Sequence, residues 1–146
     1  MKKCMCFKTI VITVAFLAAI MAVGHVPHLF GEGNGKYILV TLKDKSVEKF
    51  EYDAFSFNWV LPQIKNEVTC EVEDFLPADL EKIFVLSQTW NSCDEKDDWV
   101  FDVYLKDRRP IQGFFELTAE KVTGKVYETG KIKSIPFQDI SKVTYH

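Results

Sequence analysis

Histidine, the commonest general base and metal ligand, is scarce in this chain. His25 and His28 stand near the N-terminus, and His146 is the last residue. None lies among the strand-like segments, so no serine or cysteine nucleophile has a positioned base. His25 and His28 could bind copper or zinc, but two histidines are too few for a closed site, and an unstructured terminus is the favoured explanation. We predict no metal site and no cofactor.

Carboxylates are abundant, and a glycosidase needs only two of them at a suitable separation. Seven fall in one stretch of the sequence: Glu48, Glu51, Asp53, Glu67, Glu71, Glu73 and Asp74. Most of them alternate with apolar residues, which is typical of the solvent-facing side of strands. A small secreted hydrolase that uses paired carboxylates is therefore an alternative function and not the favoured one.

Aromatic residues suggest a ligand-binding surface. The candidate binding residues are Phe55, Phe57, Trp59, Trp90 and Trp99. Flat rings in a groove can stack against sugars or grip a peptide. In a small β domain the same spacing is more often typical of a core stripe, because large side chains fill the interior.

The cysteines divide into two pairs. Cys4 and Cys6 lie in the N-terminal hydrophobic segment, whereas Cys70 and Cys93 lie in the body of the chain. In an oxidising compartment Cys70 and Cys93 can form a disulfide, which would stabilise the fold by about 3 kcal/mol in the loop-entropy model. The alternative places Cys70 as a small core residue in a strand over 68–72 and leaves Cys93 as a free thiol.

The first 24 residues have the pattern of an export signal. Lys2, Lys3 and Lys8 precede the uncharged run Thr9–Val23, which ends in small residues before Gly24. These 15 residues would make a helix of about 22 Å, shorter than a bilayer core of about 30 Å. We predict a signal peptide over 1–24, with an uncleaved signal anchor as the alternative. The protein is then periplasmic or extracellular, or anchored to the inner membrane through this segment alone.

The charge argues against nucleic acid as a partner. The whole chain carries a formal charge of −3, and removal of three lysines with residues 1–24 would make it −6. Binding to a phosphate backbone requires a concentrated basic face.

Alternating apolar and polar residues after a flexible segment, 25–36, predict an all-β fold. Val40–Asp44 resembles Val103–Asp107, which starts 63 positions later, and Leu76–Ile83 resembles Ile135–Val143, which starts 59 later. We infer two tandem related units, 37–87 and 99–146, that differ by four residues in length. They would form SH3-like or Sm-like small barrels or share one β-sandwich.

Several local elements follow from this pattern. Glu128–Gly130 predicts a tight hairpin turn, and Gln138–Ile140 a single helical turn. Lys82–Leu86 predicts a strand, with a short helix over 78–84 as the alternative. The polar stretch 88–98 predicts a solvated linker, since its acidic run lacks the glycine and distal glutamate of a calcium loop.

These observations favour an exported, non-enzymatic binding or structural module of the cell envelope or periplasm. Its expected partner is an envelope protein, a peptide or a glycan. A membrane-tethered accessory subunit, in which Thr9–Val23 is retained, is a further alternative.

Overall fold

The computed structural model describes residues 35–146. The predictions for the export segment 1–24, for His25 and His28, and for most of segment 25–36 lie outside these residues. The described part of the chain is nearly all β-structure, as the sequence predicted. Among residues 35–146 there is no helix of the length and apolar character that a membrane crossing requires.

Ten strands and two single turns of 3₁₀ helix make up the fold. The strands are β1 (Tyr37–Leu42), β2 (Val47–Ser56), β3 (Gln63–Asn66), β4 (Val72–Asp74), β5 (Leu80–Asn91), β6 (Lys96–Leu105), β7 (Ile111–Phe114), β8 (Lys121–Val126), β9 (Ile132–Pro136) and β10 (Ile140–Tyr145). The turns Pro77–Asp79 and Phe137–Asp139 lead directly into β5 and β10.

All ten strands belong to one antiparallel sheet with the order β4-β3-β7-β6-β5-β10-β1-β2-β8-β9. The hairpin β3–β4 pairs with β7, and the hairpin β8–β9 pairs with β2. Segments 37–87 and 99–146 therefore do not form separate sheets, because each contributes a hairpin to the strands of the other. The sheet order also has an internal symmetry. When each of β1–β5 changes places with the strand five numbers higher, β1 with β6 and so on to β5 with β10, the same order is obtained from the other end.

The centre of the sheet is held by a row of branched apolar residues on its inner face. Val40 of β1 lies opposite Val143 of β10, which lies opposite Ile83 of β5, which lies opposite Val103 of β6. All four side chains are fully buried. Burial of each such side chain stabilises the fold by about 1.5–3 kcal/mol. Strand β10 is thus joined on both sides through its core residues.

Aromatic rings fill the interior beside this row. Phe57 lies at the centre of the cluster, with its ring centroid 5.4 Å from that of Phe101, 5.5 Å from Phe115 and 5.1 Å from Phe137. These tilted and edge-on contacts are the geometry that aromatic pairs prefer. The aromatic stripe of the sequence is therefore mainly a core feature.

Strand β2 contains an irregularity where it pairs with β8. Phe50 lies opposite Val126, and Phe55 lies opposite Gly124. Between these two pairs the chain advances by five residues on β2 but by only two on β8. Three extra residues are thus accommodated on β2 between Phe50 and Phe55. A bulge of this kind bends a strand and increases its twist.

The prediction of a strand over 68–72 is wrong, because the chain turns here before β4 begins at Val72. The side-chain carbonyl of Asn66 accepts hydrogen bonds from the backbone N–H groups of Val68 and Thr69, at 2.9 and 3.0 Å. Asparagine bonded in this way to its own following backbone ends a strand and opens a turn. Strand β3 therefore lies earlier, over Gln63–Asn66, and Cys70 is exposed and not in the core.

Residues 88–98, for which the sequence predicted a polar linker, form the outer end of the β5–β6 hairpin. Gln88 lies opposite Trp99, and Asn91 lies opposite Lys96. The strand predicted over Lys82–Leu86 is confirmed and is part of the same long β5. Residues 86–90 and 94–97 of this hairpin are exposed, which fits its polar composition.

Candidate functional site

The five aromatic residues predicted to bind a ligand do not share one surface. Phe57 and Trp99 are buried, with 2% and 9% of their surface exposed. Trp59 is half-buried and stacks on Phe57 at 5.4 Å, and Phe55 is half-buried against the core. Trp90 alone of the five projects from the hairpin end, with 61% exposure.

Cys70 and Cys93 form a disulfide with an S–S distance of 2.02 Å. The bond ties the β3–β4 turn to the end of the β5–β6 hairpin. Beside it, the Lys65 ammonium forms an ion pair with Asp94. The Lys65 ammonium also donates a hydrogen bond to this carboxylate, and that bond holds the pKa of Asp94 below its usual range. The disulfide and the ion pair therefore fix the same two segments to each other.

Asn91 organises the hairpin end from within, and its side chain is fully buried. Its carbonyl accepts hydrogen bonds from the backbone N–H groups of Cys93 and Asp94, at 2.9 and 3.3 Å. Its amide donates to the carboxylates of Asp94 and Asp98, at 3.1 and 2.9 Å. Every hydrogen-bonding group of this side chain is used, as expected for a buried amide. This region is therefore a structural clamp.

Some of the carboxylates considered for a hydrolase are engaged in ion pairs. Glu48 and Glu51 make ion pairs with Lys133 and Lys125. The hydrogen bond from the Ser46 hydroxyl lowers the pKa of Asp44, so Asp44, like Asp94, favours the ionised form. A general acid requires the opposite shift. Within residues 35–146 no group of three or more histidine, cysteine or acidic side chains is placed to hold a metal ion.

A groove of about 410 Å³ lies where the start of β1, the end of β10 and the start of β5 meet. Lys36, Lys82 and Lys106 line it together with Tyr52 and Tyr145. Burial and the neighbouring Tyr52 raise the pKa of the Tyr145 phenol, which therefore stays protonated. Among the described residues, one acidic side chain, Glu81, lines this groove beside the three lysines.

The outward side of the central strands continues from this groove and alternates lysines with aromatic rings. On its β5–β6 side, the Lys82 ammonium lies 4.5 Å from the centre of the Tyr104 ring, and Tyr104 packs edge-on against Phe84 at 5.6 Å. Lys142 of β10 lies 5.9 Å from the centre of the Phe84 ring. All four side chains are partly exposed.

The same alternation continues on β1 and β2. The Lys49 ammonium lies 4.3 Å from the Tyr37 ring and 4.0 Å from the Tyr127 ring, and Tyr37 stacks on His146 at 4.6 Å. We call the outward surface formed by Tyr37, Lys49, Lys82, Phe84, Tyr104 and Lys142 the central face. Ammonium groups at these distances from a ring are attracted by its negative face.

Sequence reasoning missed the central face. Its residues occupy the outward positions of strands whose inward positions carry the core, such as Lys82 and Phe84 on either side of Ile83. The alternation of inward and outward residues therefore predicted each strand by itself. The neighbours across strands depend on the sheet order, which local sequence does not reveal.

No protein-family model, no curated protein and no solved structure significantly matches this chain. The basis for a functional proposal is therefore the chemistry of the chain's own residues. Two features stand out among the described residues: the disulfide clamp and the lysine-aromatic central face with its adjoining groove.

Proposed function

We propose that the chain is an exported, non-enzymatic binding module that acts in the periplasm or outside the cell, and that its central face binds an acidic glycan. The observation that carries this proposal is the lysine-aromatic array of the central face. The groove beside it, with Lys36 and Lys106, would extend the same surface.

The chemistry of this surface matches a sugar chain that carries carboxylates. Aromatic rings offer apolar area to the flat faces of sugar rings. Lysine ammonium groups form charge-assisted hydrogen bonds to carboxylates. Lys49 and Lys82 already lie over tyrosine rings, at 4.3 and 4.5 Å, so less conformational freedom is lost when a ligand binds.

The charge of this region contrasts with that of the whole chain, which has a formal charge of −3. Three lysines lie on the central face, and two more line the groove. Glu51 is paired with Lys125, Asp102 lies opposite Phe84, and Glu81 lines the groove. A locally positive surface on an acidic protein favours an anionic ligand.

Two features support action outside the cytoplasm. The hydrophobic run Thr9–Val23 follows three lysines, as in an export signal. The Cys70–Cys93 disulfide is a kind of bond that persists in oxidising compartments. N-terminal sequencing tests this part: a mature chain that begins at His25 supports cleavage, whereas Met1 in the membrane fraction supports the tethered accessory subunit.

We further propose that β1–β5 and β6–β10 are two related halves, each with the strand layout of a small SH3-like unit and with exchanged hairpins. Lys43 N–H donates to the carbonyl of Asp139, and Lys106 N–H donates to that of Asp79, both at 2.9 Å. Lys106 comes 63 positions after Lys43, and Asp139 comes 60 positions after Asp79. The halves then differ by three residues, not four, and the bulge in β2 accommodates them.

The test of glycan binding uses polygalacturonate as the acidic probe and dextran as the neutral one. Titration calorimetry on the purified chain should detect binding to polygalacturonate and none to dextran. The double variant Lys82→Gln/Tyr104→Ala should bind at least about tenfold more weakly, since it removes one charge pair and one stacking ring.

Lys121→Gln is the matched control, because Lys121 is an exposed lysine on β8 outside the central face. It should bind like the unmodified chain. Equal loss in the two variants, or equal binding to dextran, would contradict the proposal. Binding to polyglutamate with no binding to polygalacturonate would instead indicate an acidic peptide ligand.

A further inference from the structure

The two outermost strands of the sheet, β4 and β9, each have a neighbour on one side only within the described residues. Asn66 N–H donates to the carbonyl of Glu71 and Phe75 N–H to that of Pro62, so the backbone groups of odd-numbered β4 residues face β3. Strand geometry then directs the N–H and C=O groups of Val72 and Asp74 to the free side.

The same reasoning applies to β9. Val126 N–H donates to the carbonyl of Lys131, so the backbone groups of Lys131 and Lys133 face β8. Those of Ile132 and Ser134 point to the free side. Both ends of the sheet therefore offer unpaired backbone groups, which are a template for pairing with another strand.

The two free edges carry opposite charges at corresponding positions. Glu71 and Glu73 lie on either side of Val72 at one edge, and Lys131 and Lys133 lie on either side of Ile132 at the other. Val72 and Ile132 are exposed by 52% and 69%. Each edge therefore presents an apolar residue between two like charges, and the sign of those charges differs.

The charges on these edges have few ion-pair partners among the described residues. Lys133 is paired with Glu48, whereas Lys131 and Glu73 take no ion pair within residues 35–146. Glu73 shares a groove of about 460 Å³ with Arg108 and Arg109. Lys131 and Glu73 are thus the side chains best placed to act between molecules.

We propose that the chain associates head to tail with further copies of itself, by antiparallel pairing of the β4 edge of one copy with the β9 edge of the next. Neighbouring strands run antiparallel throughout the sheet, so β4 and β9, first and tenth in the order, point in opposite directions. A copy added at either end therefore continues the antiparallel pattern.

One register satisfies both the apolar and the charged residues. With Val72 opposite Ile132, Glu73 lies opposite Lys131 and Glu71 opposite Lys133. Opposite charges directly across a strand pair stabilise it, and like charges destabilise it. Pairing of β4 with β4 or of β9 with β9 would place like charges together, so the edges select each other. A contact between two different edges leaves one of each free, which gives rings or open filaments.

Sedimentation velocity of the full chain in mild detergent tests this proposal with two charge reversals. The unmodified chain should show a mass that grows with protein concentration. Glu73→Lys and Lys131→Glu should each weaken self-association by about tenfold, because each places like charges across the interface. An equimolar mixture of the two variants, and the double variant, should associate like the unmodified chain.

Restoration by the mixture and the double variant separates a lost interface from a lost fold, since a misfolded variant cannot be rescued by the second reversal. A chain that stays monomeric at about 0.5 mM, a concentration at which more than half of the contacts with a Kd of about 0.1 mM would be formed, would overturn the proposal. Self-association that neither reversal affects, or that only one of the two reversals affects, would also overturn it.

Discussion

Cys70 and Gly130 occupy the same position in two similar turns. Their φ angles are +62° and +65°, and their backbone N–H groups donate to the carbonyls of Asn66 and Val126, at 3.0 and 2.8 Å. A residue with a side chain adopts this left-handed conformation at a cost of roughly 1–2 kcal/mol, whereas glycine adopts it freely. The disulfide partner of Cys93 therefore stands where the backbone favours glycine.

Removal of the disulfide should depend on what replaces Cys70. The variant Cys70→Ser/Cys93→Ser should lose about 3 kcal/mol of unfolding free energy, because the unfolded chain gains freedom. Cys70→Gly/Cys93→Ser should be about 1 kcal/mol more stable than that variant, since glycine relieves the backbone conformation. Urea unfolding measures both values, and equal stability of the two variants would contradict this account.

Replacement of Asn91 should be strongly destabilising. Asn91→Ala removes a buried amide whose carbonyl accepts two hydrogen bonds and whose amide donates two. We expect a loss of about 2–4 kcal/mol, because two backbone N–H groups lose their acceptor and the carboxylates of Asp94 and Asp98 each lose one donor. Ser92→Ala, at an exposed neighbour, is the control and should change stability by less than about 0.5 kcal/mol. Thermal unfolding would show whether the difference exists.

A methyl group at Gly113 should separate β7 from β3. A Cβ atom there would lie 2.1 Å from the backbone carbonyl oxygen of Lys65. At Gly124 it would lie 2.7 Å from a side-chain carbon of Phe50, which can move more easily. Gly113→Ala should therefore destabilise the protein by more than about 3 kcal/mol, and more than Gly124→Ala.

The comparison of these two variants is direct, because both glycines are buried within strands of the same sheet. Urea unfolding at one temperature gives the ranking. If Gly124→Ala proves the more harmful change, the close backbone approach of β3 and β7 is not what requires glycine at position 113.

The ion pair between Lys65 and Asp94 should make stability depend on pH at the acidic end. Because its folded-state pKa lies below the ordinary value of 3.8, Asp94 contributes fully above that pH and loses its contribution as pH falls through the folded pKa. The side chain of Asp94 is 36% exposed, so solvent limits the effect to less than about 1 kcal/mol.

Asp94→Asn should therefore lower the unfolding free energy at pH 6 and have a smaller effect at pH 3. Urea titrations of both proteins at these two pH values measure the difference. A variant that is equally destabilised at both values would show that packing, and not charge, is what Asp94 contributes.

The sequence revealed those elements whose signal is local. The alternation around Val40 and Val103 predicted the strands that became β1 and β6, and Glu128–Gly130 predicted the turn between β8 and β9, where Gly130 has a positive φ. In each case side-chain burial or backbone conformation acts within a few residues.

Other features depend on distant residues and were not accessible in this way. The alternation of Val68, Cys70 and Val72 imitates a strand, but the Asn66 side chain holds Val68 and Thr69 in a turn. The central face depends on which strands are neighbours, and Phe84 comes beside Lys142 only because β5 pairs with β10. Pairing across 58 positions of sequence leaves no local periodic signal.

Strand β10 is the last of the ten strands within residues 35–146, and it lies at the middle of the sheet between β5 and β1. Its residue Val143 pairs with Val40, 103 positions earlier in the sequence, and with Ile83, 60 positions earlier. Without β10, the strands β1 and β5 have no common neighbour, and the sheet is divided into two parts. Formation of the whole sheet therefore depends on contacts between residues that are far apart in the sequence, and such contacts slow folding.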